Sequence, residues 1–197
     1  MNNLAKLMTI ITISFILANC SATAKELERM ACSQRTDVFT EVSSAGSTPA
    51  GFADLIIKAS IKIPLPGYYI FESKKEQNYR FLVNIDGQAI LWNVEGERHQ
   101  VPKYLADGTT SHDPEAGEGV KYILLKNVRL SEGTHRVLLG LPEEEYYITK
   151  DISVKSGESY VLEFYPEYKY KTLPTRIPTF LRGLKRYDVV FKEVRAH

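Results

Sequence analysis

Leu55, Ile57, Ala59, Ile61 and Ile63 alternate with Ile56, Lys58, Ser60 and Lys62, and this two-residue rhythm constrains the chain more than any other feature. Successive side chains of an extended strand point to opposite faces, so such a segment hides one face and wets the other. Pro64 and Pro66 end it, because proline cannot donate to a sheet ladder. The rhythm then recurs. Tyr79, Phe81, Val83 and Ile85 form one face of a second strand, which meets Ala89 to Val94, with Trp92, across Asp86-Gly87. An Asp-Gly pair between two such runs predicts a tight hairpin, since glycine accepts the positive φ of the turn.

Val120, Tyr122, Leu124, Val128 and Leu130 make a longer strand, with His135, Val137, Leu139 and Leu141 as its expected neighbour across Ser131 to Thr134. Tyr146, Ile148, Ile152 and Val154 follow, turn at Lys155 to Glu158 and meet Tyr160, Leu162 and Phe164. Tyr187, Val189 and Phe191 offer one more strand, and helical turns are expected only at Lys25 to Ala31 and at Thr179 to Arg186. About seven to nine short strands with turns between them predict an all-β fold, an antiparallel β-sandwich of the immunoglobulin or transthyretin type.

The first residues read as an export leader. One positive charge before Leu7 is followed by an apolar run of 12 residues to Ala18 and then by small residues, too short a run to span a bilayer as a helix. Two cleavage readings stand side by side. Ala22-Thr23-Ala24 suits a signal peptidase, with a mature start at Lys25 and a leader over residues 1–24. Leu17-Ala18-Asn19-Cys20 resembles a bacterial lipobox, which would leave 1–19 as the leader and Cys20 as the lipidation site, although Asn19 stands where a smaller residue is usual. Either reading delivers the protein to the periplasm or the outer membrane. Residues 25–53, with small polar residues from Ser43 to Gly51, read as a flexible tether, and 54–197 as a single sandwich domain. Cys32 is expected as a solitary buried or tethered thiol or as a cross-link to another chain.

Charge excludes little beyond a strongly basic nucleic-acid binder. The 25 Lys and Arg nearly balance 24 Asp and Glu over 197 residues, and export itself removes nucleic acid from the expected partners. From Pro166 onward, four Lys and four Arg against Glu167, Asp188 and Glu193 leave a net of +5. Such a patch can meet anionic lipid or polysaccharide, or simply form a solvated edge.

Candidate binding residues fall in three places. Between Gly96 and Gly119 the strand rhythm lapses into a long loop holding Asp107, Asp113, Glu115 and Glu118, a weak calcium set whose spacing departs from the EF-hand, with a solvated acidic loop as the alternative. Tyr165, Tyr168 and Tyr170, with Tyr68, Tyr69, Tyr146 and Tyr147, supply flat rings with polar tips that suit a sugar or a partner side chain, or that pack across strands. His135 falls on the apolar face of its strand, where a packed histidine donating to a backbone carbonyl is expected ahead of catalysis.

Val83-Asn84-Ile85-Asp86-Gly87, Leu130-Ser131-Glu132-Gly133-Thr134-His135-Arg136-Val137 and Ile152 to Ser159 together resemble the PEGA-like and carboxypeptidase-regulatory-like β-sandwich modules over Phe81 to Tyr165. That resemblance implies a non-catalytic envelope or surface module for adhesion, scaffolding or spacing, and it brings no catalytic residues.

Motifs of the common enzyme classes are missing from the sequence. No Gly-x-Ser-x-Gly turn presents a nucleophile. Gly117-Glu118-Gly119 lacks the third glycine of a dinucleotide loop, and His99, His112, His135 and His197 are scattered without zinc spacing. The expectation is a non-enzymatic cell-envelope protein without a cofactor, a structural or protein-interaction module with envelope proteins or polysaccharide as partners. A carbohydrate- or small-ligand-binding module using the tyrosines and the 96–119 loop is the alternative, and an enzyme drawing on His112, Asp113 or Glu115 ranks third.

Overall fold

The computed structural model describes residues 23–32, 34–43, 48–65, 78–99, 114–169, 180 and 182–194. In chain order the strands are β1 (Phe39–Glu41), β2 (Phe52–Ile63), β3 (Tyr79–Ile85), β4 (Gln88–Val94), β5 (Gly96–His99), β6 (Gly119–Ser131), β7 (Gly133–Leu141), β8 (Tyr146–Val154), β9 (Ser159–Tyr168) and β10 (Leu184–Val194). A helix α1 covers residues 23–31. Among the described residues no helix is long and apolar enough to cross a membrane.

Two sheets form an all-β sandwich. One is six-stranded in the order β1-β6-β2-β9-β10, with β5 also paired to β6, and the other is four-stranded in the order β4-β3-β7-β8. Their facing sides carry the alternating residues that the sequence marks as apolar. Leu55, Ile57, Ile61, Tyr122, Leu124, Leu162 and Phe164 of the first sheet meet Phe81, Val83, Ile85, Val137, Leu139 and Ile152 of the second in one core.

The Asp86-Gly87 hairpin between β3 and β4 is present, and both turn residues have positive φ, +47° and +93°, the pattern of a type I′ turn. Two other expected hairpins are not hairpins. β6 and β7 belong to different sheets, and so do β8 and β9. The turns at Glu132-Gly133 and at Ser156-Gly157 carry the chain across the sandwich, from one sheet to the other. A turn that folds a strand back and one that carries it over the core both call on a glycine at positive φ, and Gly133 and Gly157 supply it here. Because β9 arrives by such a crossing, it pairs with β2 in parallel, from Asp54↔Ser159 to Ala59↔Phe164, and the first sheet is mixed rather than wholly antiparallel.

The stretch read as a tether contains two ordered elements. Leu27 of α1 packs against Leu82 and Leu138 on the outer side of the four-stranded sheet, and β1 pairs with β6 from Phe39↔Leu130 to Glu41↔Val128. Between them the chain is fastened to the β3–β4 hairpin. The Gln88 side chain accepts from the Val38 and Phe39 amides at 2.7 and 3.0 Å and donates to the Phe39 carbonyl at 2.8 Å, acting as a short length of strand. Residues 33 and 44–47 of that stretch lie outside the described residues, as do residues 1–22 with Cys20.

The long loop begins as a strand. β5 pairs with β6 from Gly96↔Tyr122 to His99↔Gly119, so the chain leaves β4 in one sheet and joins the other within two residues. Gly96 permits this, since a Cβ there would overlap Val120 and Tyr122. At the other end of the stretch expected to be helical, residues Leu184 to Arg186 belong to β10, because their partners on β9 continue as far as Tyr168.

Candidate functional site

Residues of β2, β6 and β9 that point away from the core form the outer face of the larger sheet. Register places Ile123 opposite Ser60, and Leu125 opposite Lys58, which itself lies beside Glu163. With strands spaced about 4.8 Å apart, this sets Ile123 and Tyr165 on either side of the small Ser60 side chain. The result is a groove of about 500 Å³ lined by Ser60, Lys58, Ile123, Leu125, Tyr165 and Glu115, among others.

Its apolar walls are bare. Ile123 is 54% exposed, Leu125 59% and Tyr165 44%. On a strand whose inward positions are Tyr122 and Leu124, polar residues would be expected at 123 and 125. Burial in the core explains neither.

A polar clamp closes one end. Lys62 also points to the outer side, yet it is only 2% exposed. Its ammonium donates to the carbonyls of Glu115 and Gly117 at 2.6 and 2.7 Å and lies 5.4 Å from the Phe180 ring. These bonds hold residues 114–117 down over the end of β2. The Glu115 carboxylate accepts from the Tyr168 hydroxyl at 3.0 Å and from the Lys121 ammonium. Tyr168 in turn accepts from the Lys62 amide at 2.9 Å and stacks edge-on against Phe180. A buried charge is tolerable only with such partners.

Sequence-predicted residues therefore divide. Tyr165 stands at the groove, and the Glu163 carboxylate beside it raises its phenol above the ordinary value by accepting a hydrogen bond. Tyr168 is buried in the clamp. Glu115 is part of the clamp too, while Glu118 gives its carbonyl to the Phe180 amide at 2.7 Å. Asp107, His112, Asp113, Tyr68, Tyr69 and Tyr170 lie outside the described residues. The Tyr146 hydroxyl accepts from the Tyr187 amide, and Tyr147 is partly exposed on β8. Among the described residues no group of three or more His, Cys, Asp and Glu is placed to hold a metal. Cys32 is a free, exposed thiol.

His135 is a packed histidine. Nε2 lies 2.8 Å from the Ser131 carbonyl, and Nδ1 2.7 Å from Asp86 Oδ2. Nearby, a second groove of about 580 Å³ runs under α1, lined by Met30, Asn84, Asp86, Arg136, Leu138 and Asp151. There the charged groups answer one another: Arg136 bonds Asp151 at 2.9 Å, and Asp86 Oδ1 takes the Arg136 amide at 2.8 Å. The outer face of the larger sheet carries Ile123 and Leu125, the two most exposed large apolar side chains among the described residues.

Ile123 and Leu125 escaped the sequence reading although a signal was there. Tyr122-Ile123-Leu124-Leu125 is an unbroken apolar run inside an otherwise alternating strand, and such a run means that both faces are apolar. Compared with known proteins, the chain matches no protein-family model and no curated protein.

Proposed function

We propose that the protein is an exported, non-catalytic module of the cell envelope that works by binding another envelope protein on the outer face of its six-stranded sheet. The observation that carries this reading is the exposed pair Ile123 and Leu125 beside a groove whose far wall is Tyr165. Contiguous exposed apolar side chains rimmed by charge, here Lys58, Glu163 and Lys121, are the mark of a contact surface. The leader-like first residues and the resemblance to PEGA-like modules support placement in the envelope.

Capture from envelope extracts tests the reading. The protein is compared with the double variant Ile123→Lys/Leu125→Lys, whose changes fall on exposed positions and leave the core intact. A partner held by the wild type and lost with the double variant is expected. Identical captured sets from both would overturn the proposal. Mass spectrometry of the mature N-terminus tests the export half: either an acylated Cys20 or a free amine on Lys25 is expected, and an intact leader on the protein recovered from cells would refute it.

A second reading has one observation in its favour. Tyr165 presents its ring to solvent at the groove edge, and an exposed aromatic face suits a sugar ring. A glycan array decides it: saturable binding abolished by Tyr165→Ala supports carbohydrate, and binding that survives the change, or none at all, rejects it.

A further inference from the structure

β10 is an edge strand. β9 pairs with one side of it from Leu184 to Val194, and among the described residues no strand pairs with the other side. Two hydrogen bonds show which backbone groups point outward. The Asp54 amide donates to the Glu158 carbonyl across the parallel β2–β9 pair, so alternate residues of β9 from Glu158 turn toward β2, while Val161, Glu163 and Tyr165 turn toward β10. Their partners on β10 are Lys192, Val190 and Asp188. The Tyr187 amide, one residue out of phase, donates to the Tyr146 hydroxyl at 3.1 Å instead. Val189, Phe191 and Glu193 share the phase of Tyr187, so their amides and carbonyls face out of the sheet.

A row of this kind is a template for one more strand, and the side chains specify which. When β10 is laid antiparallel against β10 of a second copy and centred on Val190, Asp188 faces Lys192 of the second copy, and two-fold symmetry repeats the pair. On the inner side Val189 faces Phe191, and both are half-buried at the sandwich edge with apolar surface left to cover. Tyr187 meets Glu193, and Arg186 meets Val194. Other centres do worse. Centring on Val189 sets Arg186 against Lys192, and centring on Phe191 sets Asp188 against Val194 and Lys192 against Val190. Only the Val190 register makes the segment Asp188-Val190-Lys192 its own complement. Within its own chain Asp188 has Arg186 at a long 3.4 Å and remains 63% exposed, so it is open to a closer cation.

We propose that β10 is a homodimerisation edge, joining the six-stranded sheets of two copies into one continuous sheet about a two-fold axis at Val190. This inference does not rest on the partner surface: Ile123 and Leu125 lie three strands away, and of that surface Tyr165 and Glu163 adjoin β10, opposite Asp188 and Val190.

Sedimentation analysis of the full chain tests it, with charge-reversal variants at exposed positions. A concentration-dependent dimer is expected for the wild type. Asp188→Lys and Lys192→Asp each replace two attractive cross-strand pairs with two repulsive ones and should each weaken the dimer about ten-fold or more. The double variant Asp188→Lys/Lys192→Asp restores opposite charges in the same register and should recover the dimer. Val189→Pro removes an outward amide without costing a β9 hydrogen bond, and should give a folded monomer by circular dichroism and sedimentation. A monomeric wild type overturns the proposal, and so does a dimer indifferent to both single reversals or one that the double variant fails to restore.

Discussion

The carboxylate of Asp86 stands 2.7 Å from Nδ1 of His135, tying the β3–β4 turn to the point where the chain crosses from β6 to β7. The other ring nitrogen reaches back 2.8 Å to the Ser131 carbonyl, the last residue of β6. One imidazole thus links a hairpin in one sheet with a strand end in the other. Its position on the apolar face of β7 is structural, and catalysis is not needed to explain it.

Replacing His135 by Ala should lower stability by about 2 kcal/mol, since it strands the Ser131 carbonyl and removes a partner of Asp86 in a site only 6% exposed. Urea unfolding of the variant measures this. A loss below about 0.5 kcal/mol would mean that water replaces both bonds at little cost.

Tyr79 poses the opposite case. It is 3% exposed, packed against Phe81 and Tyr122, and its hydroxyl has no hydrogen-bond partner among the described residues. An unsatisfied buried hydroxyl costs about 1–3 kcal/mol. Tyr79→Phe should therefore raise the melting temperature, with a gain of about 1 kcal/mol. A destabilised variant would reveal a partner for the hydroxyl.

Burial also holds the phenol of Tyr79 well above its ordinary pKa, and that of Tyr187 likewise. The sign follows from proton counting. Above about pH 10 the unfolded chain releases these phenolic protons while the folded one keeps them, so stability falls with rising pH. Unfolding free energy measured between neutral pH and about pH 11 should decline from about pH 10 upward, and Tyr79→Phe should flatten that decline.

Asp54 contributes on the acid side. Arg129 donates to its two oxygens at 2.7 and 2.9 Å, and Thr48 adds a third bond at 2.9 Å. The Arg129 bond holds the Asp54 carboxyl below its ordinary value. A lowered pKa contributes stability above the unfolded value, near about 3.9, and loses it as pH falls through the folded one. Asp54→Asn should cost about 1 kcal/mol at neutral pH, and the gap from wild type should close as the solution is acidified below pH ~4. A gap that stays constant would show that Arg129 contributes nothing through charge.

The legible parts of this fold are those written in one strand at a time. Period-two spacing marks Leu55 to Ile63 and Tyr79 to Ile85 because each buries a single face, and the Asp86-Gly87 turn is local chemistry. Which strands pair is not local. Glu132-Gly133 and Ser156-Gly157 look like hairpin turns, and nothing within them states whether the next strand folds back or crosses the core. That depends on whether the apolar faces are better covered by a neighbour or by an opposite sheet. The site suffered in the same way: Tyr165 and Tyr168 are alike in sequence, yet the bonds from Lys62 and to Glu115 bury one and leave the other at the groove.

Two glycines separate steric need from backbone need. Gly51 has a φ of +82° and nothing within 4 Å of where a Cβ would stand, so Gly51→Ala costs only the strain of an L residue in that region, about 1 kcal/mol. Gly96 has an ordinary φ but no space, as a Cβ would enter Val120 and the Tyr122 ring, both core residues of β6. Gly96→Ala must push β5 off the edge of β6 or displace that core, and should cost about 3 kcal/mol or more. Amide hydrogen exchange distinguishes the two routes. If β5 lifts, protection is lost at Glu97 and His99 and at their partners Lys121 and Gly119 while β2 stays protected. Equal and small losses for both substitutions would mean that β5 adjusts freely, and that Gly96 is not what seats the chain on the second sheet.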